Sequence, residues 1–412
     1  MSAILFTKAA VFDGLGPELI RGAEVLVADG VIQEVSASAI HRPSDCEVVD
    51  LGGRTLMPGL IDAHVHIWAT DLDILRLLTR RTEYLAAFAY RSLGRMLDRG
   101  FTTVRDAGGT DIGYAQALAD GLAAGPRLLH AGRWLSQTGG HGDFRRQGDF
   151  ACACELREGG GARFAHIVDS PDEVRRAVRE ELRQGARQIK IMGSGGVASP
   201  SDPIDRLQFS DAEILAAVEE AERHGAYVMA HCHPAEAVRR CAELGVRSIE
   251  HATLIDEDAA KAVKAKGAFV VPTLATIWAL LEDGARLGLP PVSQEKLRQV
   301  SGGVLQGLQV MQRNDLKVGF GTDLLGAQQD RQGTEFELRA QVFSPLEILR
   351  QATSTNAELL QMDREIGRVA PGYVADLIVV DGDPLDDIGC LGRGGATLPV
   401  ILQGGRFHKR SP

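Results

Sequence analysis

Cysteine is scarce in this chain of 412 residues, which has six cysteines and no Cys-x-x-Cys pair. A disulfide framework and a structural zinc site built from paired cysteines are therefore not indicated. Basic residues are also in the minority, with 45 Lys and Arg against 55 Asp and Glu and a net charge of −10. This balance argues against general affinity for nucleic acid or an anionic membrane, because those partners need basic patches.

Long apolar runs are absent too. No stretch approaches the ~20 residues that a helix needs to cross a bilayer. The segment from Met1 to Asp13 has no basic region before its short apolar run, so it predicts a strand and not a signal peptide. We therefore expect a cytoplasmic location, no membrane partner and a small-molecule substrate.

Between residues 58 and 360, β-prone runs alternate with amphipathic helical stretches, which is typical of a parallel sheet with crossover helices. Eight strands are predicted, near Ile61–His66, Thr102–Asp106, Leu128–Ala131, Gln188–Met192, Tyr227–His231, Arg247–His251, Phe269–Thr273 and Val318–Asp323. Helices are predicted at Asp172–Arg183, Asp211–His224 and Ser293–Asn314. This pattern predicts an α/β fold, a (β/α)8 TIM barrel.

Both chain ends carry short β-prone runs separated by Gly, Asp and Pro turns. Chain termini commonly lie near each other, so one sheet made from both ends is physically reasonable. We predict that residues 1–57 plus 361–412 form a small composite β-sandwich domain. Residues 58–360 are then the barrel domain.

Side chains suited to metal ions end several of the predicted strands. His64 and His66 lie two residues apart at the end of the first strand, so they share a face. The fourth, fifth, sixth and eighth strands end at or near Lys190, His231, His251 and Asp323. A barrel gathers its functional groups at the carboxyl ends of its strands, so these six side chains are predicted to meet.

Structural roles remain open for the same residues. Each histidine can be a hydrogen-bonded core imidazole, Asp323 can cap a helix, and Lys190 can form a salt bridge with Asp323 or Glu250. Lys190 is unusual among metal ligands, because an ammonium group does not bind a cation. Burial near cations would lower its pKa, and the neutral amine can then add carbon dioxide and form a carbamate that bridges two metals.

The longest stretch without periodicity is the Gly-rich segment from Ser136 to Ile167, which follows the third predicted strand and should lie on the catalytic face. His141 in this loop and His233, two residues beyond His231, are candidate catalytic and substrate-binding residues. Arg145 is a candidate for binding a substrate carboxylate, and so is its neighbour Arg146. Solvation at the surface is the alternative for these loop residues.

Eight short motifs stand out along the chain. They are Pro58-Gly-Leu-Ile-Asp-Ala-His-Val-His66, Thr103-Val-Arg-Asp-Ala-Gly108, Gly139-Gly-His-Gly142, Gln188-Ile-Lys-Ile191, Ala230-His-Cys-His233, Ile249-Glu-His251, Gly321-Thr-Asp323 and Pro371-Gly-Tyr-Val-Ala-Asp-Leu-Ile-Val379. As a set they resemble the amidohydrolase superfamily of binuclear metal-dependent hydrolases, in its imidazolonepropionase-like and Xaa-Pro dipeptidase-like branch. The resemblance covers essentially the whole chain.

The resemblance implies two divalent metal ions. One is held by His64, His66 and Asp323, the other by His231 and His251, and a CO2-derived carbamate on Lys190 bridges them. Zinc is the expected metal, since imidazole and carboxylate ligands suit it. A bridging water, activated to hydroxide, would be the nucleophile, and Asp323 would also shuttle its proton to the leaving nitrogen.

The expected activity is hydrolysis of an amide C–N bond with an amino-acid leaving group. Xaa-Pro-type dipeptides and N-acyl amino acids, including ochratoxin-like amides, are candidate substrates. A carbamate, urea or lactone hydrolase is the alternative on the same site; a mononuclear deaminase, which would not need Lys190, and a non-catalytic scaffold are less expected. Dipeptidases of this branch carry a tyrosine where His233 stands, so their side-chain preference does not carry over. We also expect a homo-oligomer.

Overall fold

The computed structural model describes residues 3–145, 164–199 and 202–411. Within these residues the chain forms a barrel of parallel strands with helices outside it, and a β-domain made from both chain ends, as predicted. Most of the predicted Gly-rich loop, including Arg146, lies outside the described residues. No helix in the described part of the chain is long and apolar enough to span a membrane.

Strands from both chain ends form the β-domain. They are, numbered along the chain, β1 (Ile4–Val11), β2 (Ile20–Ala28), β3 (Val31–Ser36), β4 (Glu47–Asp50), β5 (Thr55–Pro58), β16 (Leu377–Val380), β17 (Val400–Gln403) and β18 (Arg406–Arg410). The hydrogen-bonded order is β18-β17-β16-β5-β1-β2-β3, with β4 beside β1. Phe6, Val25, Leu56 and Val379, from four of these strands, share one buried apolar cluster. The predicted domain boundaries themselves stay a prediction.

All eight predicted barrel strands are present. They are β6 (Leu60–Val65), β7 (Phe101–Asp106), β8 (Arg127–Leu129), β11 (Gln188–Met192), β12 (Tyr227–Pro234), β13 (Ser248–Leu254), β14 (Phe269–Val271) and β15 (Lys317–Val318). Two further short strands, β9 (Trp134–Ser136) and β10 (Ala165–Ile167), pair in parallel beside β11. The predicted loop therefore begins and ends in paired backbone.

Backbone hydrogen bonds close the barrel at two seams. Arg187 N donates to His130 O at 3.0 Å, which joins the ends of β8 and β11. At the other seam, Ala63 N donates to Phe320 O and Asp323 N donates to His64 O, both at 2.8 Å. The last strand is shorter than predicted, but residues 320–323 still lie against β6. Asp323 is thereby fixed beside His64.

The described helices pack around the barrel. They are α1 (Ile74–Leu78), α2 (Thr82–Asp98), α3 (Ile112–Ala119), α4 (Pro171–Arg183), α5 (Asp211–Arg223), α6 (Ala235–Glu243), α7 (Glu257–Lys266), α8 (Leu274–Asp283), α9 (Pro291–Ser301), α10 (Val304–Arg313), α11 (Thr334–Arg339), α12 (Pro345–Arg350) and α13 (Asn356–Leu359). The predicted start of α5 is confirmed by a capping box in which Ser210 and Glu213 bond each other's backbone.

The prediction of one helix over Ser293–Asn314 is wrong, because α9 ends at Ser301 and α10 begins at Val304. The pair Gly302 and Gly303 separates them, and glycine is a poor helix former. A Cβ on Gly303 would lie 2.7 Å from Leu254 Cδ2, so the close approach of α10 to β13 depends on its absence. The break therefore serves helix-to-barrel packing.

Asn356 tests the importance of the second seam. Its buried amide donates to Ile61 O and Phe320 O, both at 2.8 Å, and its Oδ1 accepts from Phe320 N at 3.1 Å. We expect Asn356→Ala to destabilise the fold by roughly 1–3 kcal/mol, since it removes three buried hydrogen bonds, including the one that Phe320 N makes. Asn314→Ala, which removes bonds from a half-buried amide, is the matched control. Equal midpoints of thermal unfolding for the two variants would contradict the role of Asn356.

Candidate metal centre

The carboxyl ends of the barrel strands surround a cavity of about 110 Å³. Its lining includes all six predicted metal ligands and both histidines predicted to meet the substrate: His64, His66, Lys190, His231, His251, Asp323, His141 and His233. Residues that lie up to 259 positions apart in the sequence, His64 and Asp323, thus come together at one end of the barrel, as their places near strand ends predict.

One carboxylate oxygen lies between two imidazoles. Asp323 Oδ1 is 3.5 Å from His64 Nε2 and 3.4 Å from His66 Nε2. His64, His251 and Asp323 each offer a ligand atom within 4.8 Å of the other two, which is close enough to hold one metal ion. His64 Nε2 is buried and has no hydrogen-bond partner in the described part of the chain. A bound cation would satisfy this nitrogen, so the residues fit a metal.

Burial sets the protonation of these groups. It lowers the pKa of His64, His231 and His251 well below the usual value, and that of His66 to about 3, because a dry site disfavours the imidazolium. Neutral imidazole is the form that binds metal. Burial also lowers the pKa of Lys190, against the opposing charges of Glu250 and Asp323. The same desolvation raises the pKa of Asp323 to about 7.

Each of three histidines is held at Nδ1 by an oxygen outside the cavity. His64 Nδ1 lies 2.6 Å from Glu250 Oε2, and His66 Nδ1 lies 3.1 Å from Gly108 O. His251 Nδ1 lies 2.8 Å from Thr273 Oγ1. These contacts leave Nε2 of each ring for the cavity, which is the arrangement that orients histidine ligands in metal proteins. His231 differs, since its Nε2 lies 3.2 Å from Gly195 O.

A fully buried ion pair lies behind His64. Arg105 Nη2 donates to both oxygens of Glu250, at 2.9 and 3.1 Å, and Arg105 Nε donates to Ala63 O at 2.6 Å. Neither Arg105 nor Glu250 is predicted from the sequence as part of the site. The available signal was a charged residue inside an apolar strand, next to a predicted ligand in the case of Glu250.

The backbone is strained at two of the predicted ligands. His251 and Asp323 have φ values of 68° and 53°, and Ala252 has 47°. Residues with a Cβ in this left-handed region cost about 1–2 kcal/mol each. The geometry of the cavity is therefore held by the surrounding fold against local backbone preference.

Two of the structural alternatives raised by the sequence, the Lys190 salt bridge and the Asp323 helix cap, are not seen in the described residues. No hydrogen bond or ion pair joins Lys190 to Glu250 or Asp323 there, although Lys190 is 2% exposed. The short helix after Asp323 spans Gly326–Arg331, with Leu325 at its N-terminal boundary, so Asp323 does not cap it.

Of the predicted substrate-binding residues that the structure describes, the two histidines line the cavity and Arg145 does not. His141 and His233 stand on two sides of His231, with ring centroids 4.2 and 4.7 Å from it. Arg145 instead donates to the carboxylate of Asp143, with Nε 2.8 Å from Oδ1, and is not among the described residues that line the cavity. Arg146 lies outside the described residues.

Apolar side chains complete the cavity. The rings of Trp68 and Trp134 lie 6.2 and 6.4 Å from the His66 ring, and Phe144 packs edge-on against Trp134. The aliphatic lining includes Leu72, Ile74, Met192, Val197, Ile277, Leu280, Leu289 and Leu325. The cluster of predicted metal ligands thus adjoins apolar walls, which can accept an apolar group of a substrate.

Comparison with known proteins gives one family match and several similar proteins. Residues 55–406 match the model of the amidohydrolase family. The chain is 31% identical to ochratoxinase of Aspergillus niger over 405 residues, which covers 95% of this chain and 84% of the relative. It superposes on the crystal structure of an amidohydrolase with a TM-score of 0.96 at 45% identity, and on that of a prolidase complexed with N-methylphosphonate-L-proline with a TM-score of 0.96 at 43% identity; both cover 100% of each chain.

Two buried threonines offer a matched pair of variants. Thr273 Oγ1 bonds the ring of His251, and Thr253 Oγ1 lies 2.9 Å from Nδ1 of His233. We expect Thr273→Val to weaken zinc binding about 10–100-fold, because it frees the ring of a ligand. Thr253→Val should leave zinc affinity unchanged, since His233 lies outside the predicted ligand set. Competition with a chelator measures the zinc affinity of both variants. Equal weakening in the two would contradict the prediction that His251 is a ligand and His233 is not.

Proposed function

We propose that this chain, which belongs to the amidohydrolase family and is a hydrolase of carbon–nitrogen bonds, cleaves amides whose leaving group is an amino acid. Xaa-Pro-type dipeptides and N-acyl amino acids, including ochratoxin-like amides, are the substrate classes. The observation that carries the proposal is the cavity in which a metal-suited donor cluster adjoins apolar walls. The ligand of the similar prolidase supports it, because a phosphonate on a proline nitrogen is tetrahedral, as is an amide carbon under attack. A cytoplasmic location and a homo-oligomeric state belong to the same proposal.

Two divalent cations, zinc by ligand type, complete the proposed site. His64, His66 and Asp323 would hold one and His231 and His251 the other, with a carbamate on Lys190 between them. The compact group of His64, His251 and Asp323 combines members of both sets, so this allocation stays a prediction. When bound, the cations supply Lewis acidity, which polarises a carbonyl group and lowers the pKa of water.

Asp323 is the proposed proton carrier. Its carboxylate would take the proton of the attacking water and return it to the leaving nitrogen. Desolvation by burial raises the pKa of the Asp323 carboxyl to about 7, which favours its taking up a proton. The strained backbone at Asp323 and its bond to His64 O hold the carboxylate against the imidazoles of His64 and His66.

The remaining side chains would position the substrate. His141 and His233, on two sides of His231, are proposed to bind the carbonyl oxygen and the carboxylate of the leaving amino acid. The ring of His233 is oriented by its contact with Thr253, which leaves Nε2 for this task. The apolar wall of Trp68, Trp134 and Phe144 would exclude water and accept an apolar acyl group.

The test is a library of dipeptides and N-acyl amino acids, incubated with the zinc-loaded protein and read by mass spectrometry. We expect release of specific C-terminal amino acids at about two zinc ions per chain. Asp323→Asn is the control for contaminating peptidases, because an amide cannot carry the proton. Two bound metals without any released amino acid would contradict the proposed substrate class and favour a carbamate, urea or lactone.

The carbamate has its own test in Lys190→Ala. We expect this variant to lose metal and activity, because neutral alanine supplies no bridging oxygen. A short carboxylic acid such as formate, added in excess, should restore part of both, since it can occupy the vacated space as a carboxylate. Full metal content without the added acid would contradict a ligand role for Lys190.

A further inference from the structure

A buried lysine that belongs to neither the ligand set nor the cavity lining lies behind the site. Helix α9 directs Lys296, which is 6% exposed, into the loop that follows β11. Its Nζ donates to Gly196 O at 3.0 Å, to Ser199 O at 2.9 Å and to Asp202 Oδ1 at 3.3 Å. One ammonium group therefore ties together three points of this loop.

Asp202 connects that lysine to His141. The carboxylate is 3% exposed, and its Oδ2 accepts from Gly196 N at 3.1 Å and lies 3.3 Å from His141 Nδ1. The hydroxyl of Ser199 donates to Asp202 Oδ1, and its oxygen lies 2.9 Å from the same nitrogen of His141. The chain of contacts runs from Lys296 through Asp202 and Ser199 to His141.

These contacts bear on the state of the His141 ring. A carboxylate accepts hydrogen bonds only, so its approach to Nδ1 of His141 favours a hydrogen on that nitrogen and leaves Nε2 for the cavity. The ring is also confined, since it stacks on His231 and lies against Gly196. A Cβ on Gly196 would lie 2.5 Å from His141 Nε2 and 2.6 Å from His231 Nε2, so only glycine fits there.

We propose that Lys296 and Asp202 are positioning residues that fix the tautomer and orientation of His141 toward the bound substrate. The role of His141 in turnover rests on the proposed function. The tautomer of its ring does not, because it follows from the contacts of Asp202 and Ser199. A buried ion pair is weak as a stabilising device, because well-packed apolar residues often stabilise a fold equally well. The contact of this pair with His141 accounts for its presence here.

The first test needs no substrate. In zinc-loaded protein labelled with ¹⁵N at histidine, long-range ¹H–¹⁵N correlation spectra report which ring nitrogen carries hydrogen, and His141→Ala assigns the signal. We expect an Nδ1–H tautomer in the wild type, and its loss or a mixture of tautomers in Asp202→Asn and Lys296→Met. An Nε2–H tautomer in the wild type, or no change in either variant, would overturn the proposal.

The second test is a double-mutant cycle on whichever substrate is turned over. Lys296→Met should lower kcat/KM about 100-fold, as misplacement of a substrate-positioning group can, and leave two zinc ions bound. In the His141→Ala background the same change should cost less than about twofold, because its effect passes through His141. Additive losses in the two backgrounds, or loss of zinc, would assign Lys296 a general structural role and overturn the proposal.

One control variant and one replacement variant complete the design. Lys264→Met removes another ammonium that donates to a backbone carbonyl, that of Asn314 at 2.8 Å, far from the site, and should leave kcat/KM unchanged. If Lys296→Met does not fold, Ser199→Ala removes only the hydroxyl between Asp202 and His141 and takes its place in both tests. A wild type without amide hydrolysis would refute the proposed function, while the tautomer measurement would still decide the state of His141.

Discussion

The candidate metal centre depends on one interaction that contains none of the predicted ligands, the pair between Arg105 and Glu250. Arg105 comes from β7 and Glu250 from β13, so the pair spans the interior of the barrel below the cavity. Both side chains are fully buried, and loss of either partner would leave a charge unpaired at a cost of about 3–5 kcal/mol. Glu250 also holds Nδ1 of His64. The ion pair thus couples the interior of the barrel to the orientation of a ligand.

The site is assembled against several local preferences. Burial keeps the imidazoles neutral and the amine of Lys190 desolvated, and His251 and Asp323 adopt left-handed backbone. Among the residues that the structure describes, His64 Nε2 has no hydrogen-bond partner. A ligand that binds only the folded state adds its binding free energy to stability. A cation bound at this centre would therefore stabilise the folded state and offset the free-energy cost of these buried and strained groups.

The strands and the predicted ligands are readable from sequence because each depends on a local pattern. His64, His66, Lys190, His231, His251 and Asp323 all lie at or near the ends of β-prone runs in the sequence, and the barrel brings them together around one cavity. The residues that support the site cannot be predicted from such local patterns. Glu250 and Arg105 lie 145 positions apart and Lys296 and Asp202 lie 94 apart, and only tertiary packing pairs them. The break between α9 and α10 does have a local signal, the pair Gly302 and Gly303, which the prediction of one continuous helix did not use.

The position of β5 has a consequence for how the chain acquires its structure during synthesis. This strand lies between β1, on its N-terminal side in sequence, and β16, which begins at Leu377, more than 300 residues after β5 ends. Until the ribosome has made β16, β5 has an open edge with unpaired backbone groups where β16 will lie. Pairing between such distant segments is slow, and exposed edges promote aggregation. The nascent chain must therefore complete or protect the barrel while its first sheet is still unfinished.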